Sequence, residues 1–210
     1  MKQIDILVDR YKELDVCKND IEKACKLMIS SFASGNKLLV AGNGGSASDS
    51  DHITGELMKG FEKQRPISCE LAEKLKEINS QDAEHLIDTL QVGLPTIPLT
   101  EHAGLMTAFA NDKSADAVFA NQVLGYCKKG DIFFAISTSG NSKNVVLACE
   151  VAKALGLTVI GLTGEHDSKI SALADVTIKV PSTRTYQIQE YHLPVYHALC
   201  LEIEDYFFEK

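Results

Sequence analysis

Asp131-Ile132-Phe133-Phe134-Ala135-Ile136-Ser137-Thr138-Ser139-Gly140-Asn141-Ser142 runs from an apolar segment straight into a hydroxyl-rich turn. A helical pattern from about Asn144 to Leu155 follows it. An unbroken apolar run of strand length reads as a strand covered on both faces, the habit of parallel sheets. Strand, turn and helix N-terminus in that order also build an anion site. The free N–H groups of a helix's first turn point into the loop, and the helix dipole adds roughly half a positive charge there. Ser137, Thr138, Ser139 and Ser142 add neutral donors. The segment predicts an α/β fold and a grip on a phosphate ester.

The same alternation recurs outward from it. Lys37-Leu38-Leu39-Val40-Ala41 reads as a short buried strand stopped by Gly42-Asn43-Gly44-Gly45. A helix from about Ser46 to Lys63 comes next, ended by Arg65-Pro66. Leu94–Thr100 is the following strand, and Pro95 and Pro98 assign it to an edge or a bend. Helical turns at Ala103–Ala110 and Ala115–Cys127 precede Asp131. Beyond the phosphate turn the pattern gives a strand at Thr158–Leu162, a short helix near Lys169–Ala174 and a strand at Val176–Val180. A last helix starts beyond Pro181 and runs toward Glu204 or later. Residues 2–34 space their apolar positions by three and four, which predicts two amphipathic helical segments broken near Val16–Asn19.

Strands alternating with helices imply right-handed crossovers. The prediction is a single domain over residues 1–210: an α/β, doubly wound, mostly parallel five-stranded sheet, with a helical N-terminal extension at 1–34. A helical insertion at about 67–92 interrupts the rhythm. Glu70–Ile78 and Gln81–Leu90 read as two short helices with Asn79-Ser80 as a cap between them. The segment reads as a surface excursion or subunit contact, the sharper alternative being a lid beside the site.

Composition narrows the partners. A chain of 210 residues with 45% hydrophobic and 24% charged residues is ordinary for a soluble globular protein. Its net charge of −8 speaks against a broad nucleic-acid surface, while leaving room for one phosphorylated metabolite. Six scattered cysteines without a Cys-x-x-Cys pair suit reduced thiols rather than a disulfide framework or a zinc finger. The first ten residues hold no signal-peptide apolar core and no run reaches membrane-spanning length, so no membrane partner and a cytoplasmic location are expected.

Gly42-Asn43-Gly44-Gly45-Ser46-Ala47 formally matches the dinucleotide fingerprint after a strand and before a helix. That fingerprint needs a second strand soon after the helix, with an acid near ~20 residues on. Here no strand arrives until Leu94, so a backbone cradle for substrate fits better, with Asn43 and Ser46 offering polar side chains. His52 and Glu56 stand four apart on one face of the helix that follows. Gln189 and His197 lie eight apart in the last helix, about 80° around it, and Pro194 between them predicts a kink or a late start. His192 reads as packed or capping. Two imidazoles, one carboxylate and one amide oxygen suit a borderline divalent metal, Zn²⁺ above others. Without metal the same groups supply a carboxylate base and an imidazole acid, a pair suited to proton transfer beside a carbonyl.

Ala41-Gly42-Asn43-Gly44-Gly45-Ser46, His52-x-x-x-Glu56, Asn111-Asp112, Ile136–Ser142, Gly161–Gly164 and Ile188-Gln189-Glu190-x-His192 occur in an order that resembles the phosphoheptose isomerases of the sugar-isomerase (SIS) domain superfamily. The resemblance covers nearly the whole chain except about residues 67–92. It implies a flavodoxin-like sheet and a homotetramer with active sites between subunits. It also implies conversion of D-sedoheptulose 7-phosphate to D-glycero-D-manno-heptose 7-phosphate through an enediol, an early step toward bacterial surface heptose. Carried over by position, Ser137, Thr138, Ser139 and Ser142 would bind the phosphate. Asn43, Gly44, Gly45, Asn111 and Asp112 would contact the sugar, with Ser46 and Gln189 counted among the substrate-binding residues. His52, Glu56, Gln189 and His197 would hold one Zn²⁺ per subunit, and Glu56 and His197 would move protons between C1 and C2. Ligation and proton transfer by Glu56 cannot both be complete at one instant, so either Glu56 loosens or the metal is structural.

The chain departs from the family in its insertion, at Glu101 where Asp is common, at Tyr186-Gln187 where Arg usually appears, and at Pro194. These bear on the identity of the sugar more than on the phosphate. The competing readings are a non-catalytic SIS-domain protein-binding module and an SIS isomerase or sensor of another phosphosugar.

Overall fold

The computed structural model describes residues 1–208. Its strands are β1 (Leu38–Ala41), β2 (Thr96–Pro98), β3 (Ile132–Ile136), β4 (Thr158–Thr163) and β5 (Val176–Lys179). They form one sheet in the order β2-β1-β3-β4-β5, and all four pairings are parallel. This is the flavodoxin-like order, in which the strand sequence reverses direction between β1 and β3. The helices are α1 (Lys2–Arg10), α2 (Lys18–Ala33), α3 (Gly45–Met58), α4 (Cys69–Ile78) and α5 (Ser80–Thr89), then α6 (Ala103–Phe109), α7 (Val118–Tyr126), α8 (Lys143–Ala154), α9 (Lys169–Leu173) and α10 (Thr185–Phe208).

Both sheet faces are covered because the strand residues alternate between two apolar layers. Leu38, Val40, Ile132, Phe134 and Ile136 pack with residues of α1, α2, α3 and α10. Leu39, Ala41, Phe133 and Ala135 pack with residues of α7, α8 and α9. Period-two side-chain direction turns an all-apolar run into two half-runs, one for each layer. Phe133 and Phe134 are both fully buried, one in each layer, so either Phe→Ala change removes about 3–5 kcal/mol.

Several boundaries differ from the pattern, each with a physical cause. The N-terminal extension breaks twice, first at Tyr11 and again at Cys17–Lys18, inside the expected 16–19, with a tight 3₁₀ stretch, Lys12–Cys17, between the two α-helices. Its buried residues, Leu14 and Cys17, stand three apart, the eclipsed spacing of that helix. Strand β2 keeps only three residues. Pro95 and Pro98 have no N–H for the ladder, and the strand sits at the sheet edge as its prolines require. Helix α10 runs through Pro194 from Thr185, so the proline marks no late start. Glu190 loses its usual i+4 donor there.

Helix α3 ends at Met58, five residues short of Lys63, because residues 60–65 are claimed from far along the chain. The Glu204 carboxylate accepts from the backbone N–H groups of Phe61 (2.7 Å), Glu62 (2.8 Å) and Lys63 (3.3 Å). It also accepts from Arg65, at 2.7 Å from Nη2 and 3.0 Å from Nε. Arg65 in turn donates to the carbonyls of Leu57 (2.7 Å) and Glu56 (3.2 Å), capping the helix C-terminus that the Glu204 ladder leaves open. Arg65 and Glu204 are both fully buried.

The segment 67–92 is helical as expected. Ser68 accepts from Leu71 N–H at the start of α4, and Asn79 accepts from Gln81 N–H at the start of α5. Among the described residues no helix is long and apolar enough to cross a membrane. All six cysteines are free thiols.

Candidate active site

The C-terminal ends of β1 and β3, where the strand order reverses, carry the glycine turn and the hydroxyl turn. Gly44 has φ +56°, a left-handed conformation that suits glycine. A Cβ on Gly45 would lie 2.4 Å from Gln189 Nε2, so the turn is stripped of side chains where α10 crosses it. The two turns are tied together by a reciprocal amide pair. Asn43 donates to Asn144 at 2.8 Å and Asn144 donates back at 2.9 Å. Ser46 is buried, so its polar side chain is less available than the sequence suggests.

In the hydroxyl turn, Ser137 is buried and its Oγ lies 3.0 Å from Ser142 Oγ. Ser142 stands at the N-cap of α8 but makes no side-chain cap bond. Thr138 is half-buried and Ser139 is exposed. Gly140 N–H bonds Ser137 C=O (3.0 Å) to close the turn. Thr138 and Ser139 line a cleft of about 370 Å³ together with Asn141, His166, Ser182 and Thr183. His166 is a titratable neighbour of the turn that the motif reading passed over.

The acid–histidine cluster forms where α3 crosses α10. His52 Nε2 lies 3.2 Å from Glu56 Oε1, and Lys59 Nζ lies 3.2 Å from Glu56 Oε2. The rings of His52 and His197 meet edge-on with centroids 4.9 Å apart. Phe61 covers His197 from the Glu204-bound segment at 5.4 Å. Burial holds the His197 imidazole below its ordinary range, with His52 adding to the effect and Glu56 opposing it. His197 Nε2 is buried and makes no hydrogen bond. His197 also faces a cavity of about 380 Å³ between α1 and α10, lined in part by Arg10, Tyr11, Phe61 and Pro194.

Two further members of this cluster, Asp49 and Tyr196, were not singled out by the motifs. The Tyr196 hydroxyl lies 3.2 Å from Asp49 Oδ1 and 3.0 Å from His52 Nδ1. Burial raises the Asp49 carboxyl above its ordinary range, a rise opposed by Tyr196 and His52. Asp49 stands three residues before His52 on the same helix face, a spacing that could have flagged it. His192 is fully buried and burial pushes it down to about 4, so it is a packed neutral imidazole.

Gln189 belongs to the glycine turn by its contact with Gly45, two turns along α10 from His197. Asn111 and Asp112 lie in an exposed π-helical turn, Ala110–Ser114, and bond to each other at 2.9 Å. Among the described residues no hydrogen bond joins them to the other candidates, and no three His, Cys, Asp or Glu side chains converge as a ready metal site.

Profiles of the SIS domain match residues 4–88 and 102–199. A phosphoheptose isomerase from Shewanella loihica is 39% identical over 187 residues, covering 88% of this chain and 82% of that protein. The chain belongs to the phosphoheptose isomerase family. Solved family structures agree. The enzyme from Neisseria gonorrhoeae is 31% identical with a TM-score of 0.69, covering 96% of this chain and 98% of that one. The enzyme from Francisella tularensis is 29% identical with a TM-score of 0.73, covering 98% and 100%. The family places the chain among isomerases, and the flavodoxin-like sheet is as the resemblance implied.

Proposed function

We propose that the protein interconverts D-sedoheptulose 7-phosphate and D-glycero-D-manno-heptose 7-phosphate. The observation that carries this reading is the meeting of Glu56, His52 and His197 across the α3–α10 crossing, in a chain 39% identical to a phosphoheptose isomerase. Ser137, Thr138, Ser139 and Ser142 bind the phosphate with the N-terminus of α8. Asn43, Gly44, Gly45, Ser46, Asn111, Asp112 and Gln189 contact the sugar. Glu56 takes the proton from C1 of the ketose and returns it to C2 of the enediol. His197, whose imidazole burial holds below its ordinary range, passes the hydroxyl proton between O2 and O1.

Of the donor set His52, Glu56, Gln189 and His197, the two histidines and Glu56 meet at the crossing and fit Zn²⁺ in their chemistry. Gln189 lies two turns away along α10 and would have to be supplied by a neighbouring copy. In support, His197 Nε2 is a buried nitrogen without a hydrogen bond, and the 3.2 Å from His52 Nε2 to Glu56 Oε1 is near the ~3.3 Å edge of a tetrahedral zinc site. When bound, the ion supplies a Lewis acid that polarises a carbonyl oxygen. The whole chain acts as one SIS domain in the cytoplasm and assembles as a homotetramer with sites completed between copies. Helix α6 buries no residue within one copy and exposes Leu105, which supports a covered face there. The insertion 67–92 contributes to the same contacts.

The test is incubation with sedoheptulose 7-phosphate, with and without Zn²⁺, followed by detection of the aldose. No aldose under either condition removes this reading in favour of another phosphosugar or a binding role.

A further inference from the structure

We propose that Phe61 and Glu204 are positioning residues that wall off the acid–histidine cluster from water, Glu204 holding the 61–63 backbone so that the Phe61 ring stays packed on His197. The use of that wall, to keep a hydrogen in transit from exchanging with solvent, rests on the isomerase reading; the wall itself does not.

The cluster borders solvent on two sides. On the first, the His52 side chain is 41% exposed. Substrate enters and fills that side, so it needs no wall. On the second lies the cavity of about 380 Å³ between α1 and α10. Arg10, Glu62 and Glu190 line it, and its size and polar groups suit water. His197 stands in the wall of this cavity, yet its Nε2 is buried. The ring therefore turns that nitrogen away from the cavity. Phe61 packs against the ring with centroids 5.4 Å apart and planes at 67°, and it lines the same cavity. The two rings are neighbouring parts of one partition, and cutting Phe61 back to Cβ would join cavity to cluster.

Phe61 lies in a stretch without regular structure, so its place is fixed by partners. Glu204 supplies them from about two turns beyond His197 on the same helix. Its Oε1 accepts from Phe61 N–H at 2.7 Å, and its Oε2 accepts from Glu62 N–H at 2.8 Å. Next to it, Asp205 pairs with Lys63 Nζ at 2.6 Å. On the outer side, Gly60 N–H donates to Gln91 Oε1 and Val92 N–H donates to the Arg65 carbonyl, both at 2.8 Å. The segment is held between α10 and the returning end of the insertion. One helix thus carries both the imidazole and the anchor of its cover, which keeps the two rings in register.

The test is turnover of sedoheptulose 7-phosphate in D₂O, with deuterium at C2 of the aldose read by NMR. The C1–H bond breaks onto Glu56 and a new bond forms at C2. A shielded hydrogen is carried across, whereas an unshielded one is replaced from solvent. The wild type is expected to carry over a measurable share; complete deuteration overturns the proposal. Phe61→Ala is expected to raise the deuterated fraction and to lower kcat about 10-fold with KM unchanged. An unchanged fraction overturns it. Phe61→Tyr keeps the ring and is expected to restore the wild-type fraction; a fraction like that of Phe61→Ala overturns it. Loss of stability alone leaves the fraction unmoved, since unfolded molecules make no product. For the anchor, Glu204→Gln is expected to speed amide exchange at 61–63 about 10-fold and to weaken the NOE between the Phe61 and His197 rings. An unmoved NOE overturns the positioning role. A wild-type protein that makes no aldose breaks the isomerase reading alone, since the NOE and exchange arms still decide whether Glu204 holds Phe61 on His197.

Discussion

Two segments leave the end of α3 in opposite ways. Residues 59–65 fold back onto α10, where one buried carboxylate, Glu204, accepts from three backbone N–H groups and from Arg65. Residues 68–90 leave the body as the α4–α5 hairpin, in which α4 buries nothing and α5 buries only Ala83. The first segment has no regular structure and is fixed by partners about 140 residues away. The second has regular helices with their own caps and little packing. Secondary structure is therefore a poor guide to where this protein concentrates its long-range hydrogen bonds. The tied segment lies beside the candidate site, because the same crossing of α3 and α10 holds His52, Glu56 and His197.

That contrast can be broken or sharpened by mutation. The largest effect is expected at the cluster: Glu56→Gln or His197→Gln lowers turnover about 10²- to 10⁴-fold in a steady-state assay, with the fold retained. Near-normal turnover in both would remove the mechanism. Next, Arg65→Met leaves the buried Glu204 without its partner and costs about 3–5 kcal/mol in urea unfolding. Arg65→Met with Glu204→Leu recovers much of that loss, since two apolar side chains need no partner. Burial alone would raise the Glu204 carboxyl, but the N–H groups of Glu62 and Phe61, with Arg65, outweigh it and hold it below its ordinary 4.5. A depressed folded value means that this stability is present above about 4.5 and is lost as pH falls through the folded value. Unfolding curves of the wild type and Glu204→Gln should accordingly converge in acid and separate near neutrality.

Smaller effects belong to the turns and the hairpin. Ser139→Ala weakens binding of a phosphorylated sugar about 10-fold and leaves its dephosphorylated form nearly unaffected, by calorimetry. Ile78, 82% exposed on the hairpin, tolerates Ser with a change of about 0.5 kcal/mol or less in the isolated copy. A much larger loss would mean that another copy covers the hairpin.

Much of this was legible in the chain. The alternating apolar runs at 38–41 and 132–136 carry the parallel sheet because a strand buried on both sides must be apolar throughout. The prolines at 95 and 98 give away the edge strand because they lack a donor. His52 and Glu56 could be read as a pair because i,i+4 spacing puts both on one helix face, whereas their meeting with His197 depends on how α3 and α10 cross. What stayed hidden depends on long-range pairing. Arg65 in a polar stretch looks like a surface charge until Glu204 is beside it, and Tyr196 looks like core until Asp49 and His52 flank its hydroxyl. No local pattern reveals the 3₁₀ stretch at 12–17, which answers to the packing of Leu14 and Cys17 beneath it.

The paired carboxamides of Asn43 and Asn144 join the turn after β1 to the helix after β3 with two bonds running in opposite senses. Neither partner carries a charge or titrates. The separation of the glycine turn from the start of α8 is thus held by a spacer whose two bonds do not depend on acidity, since neither carboxamide gains or loses a proton.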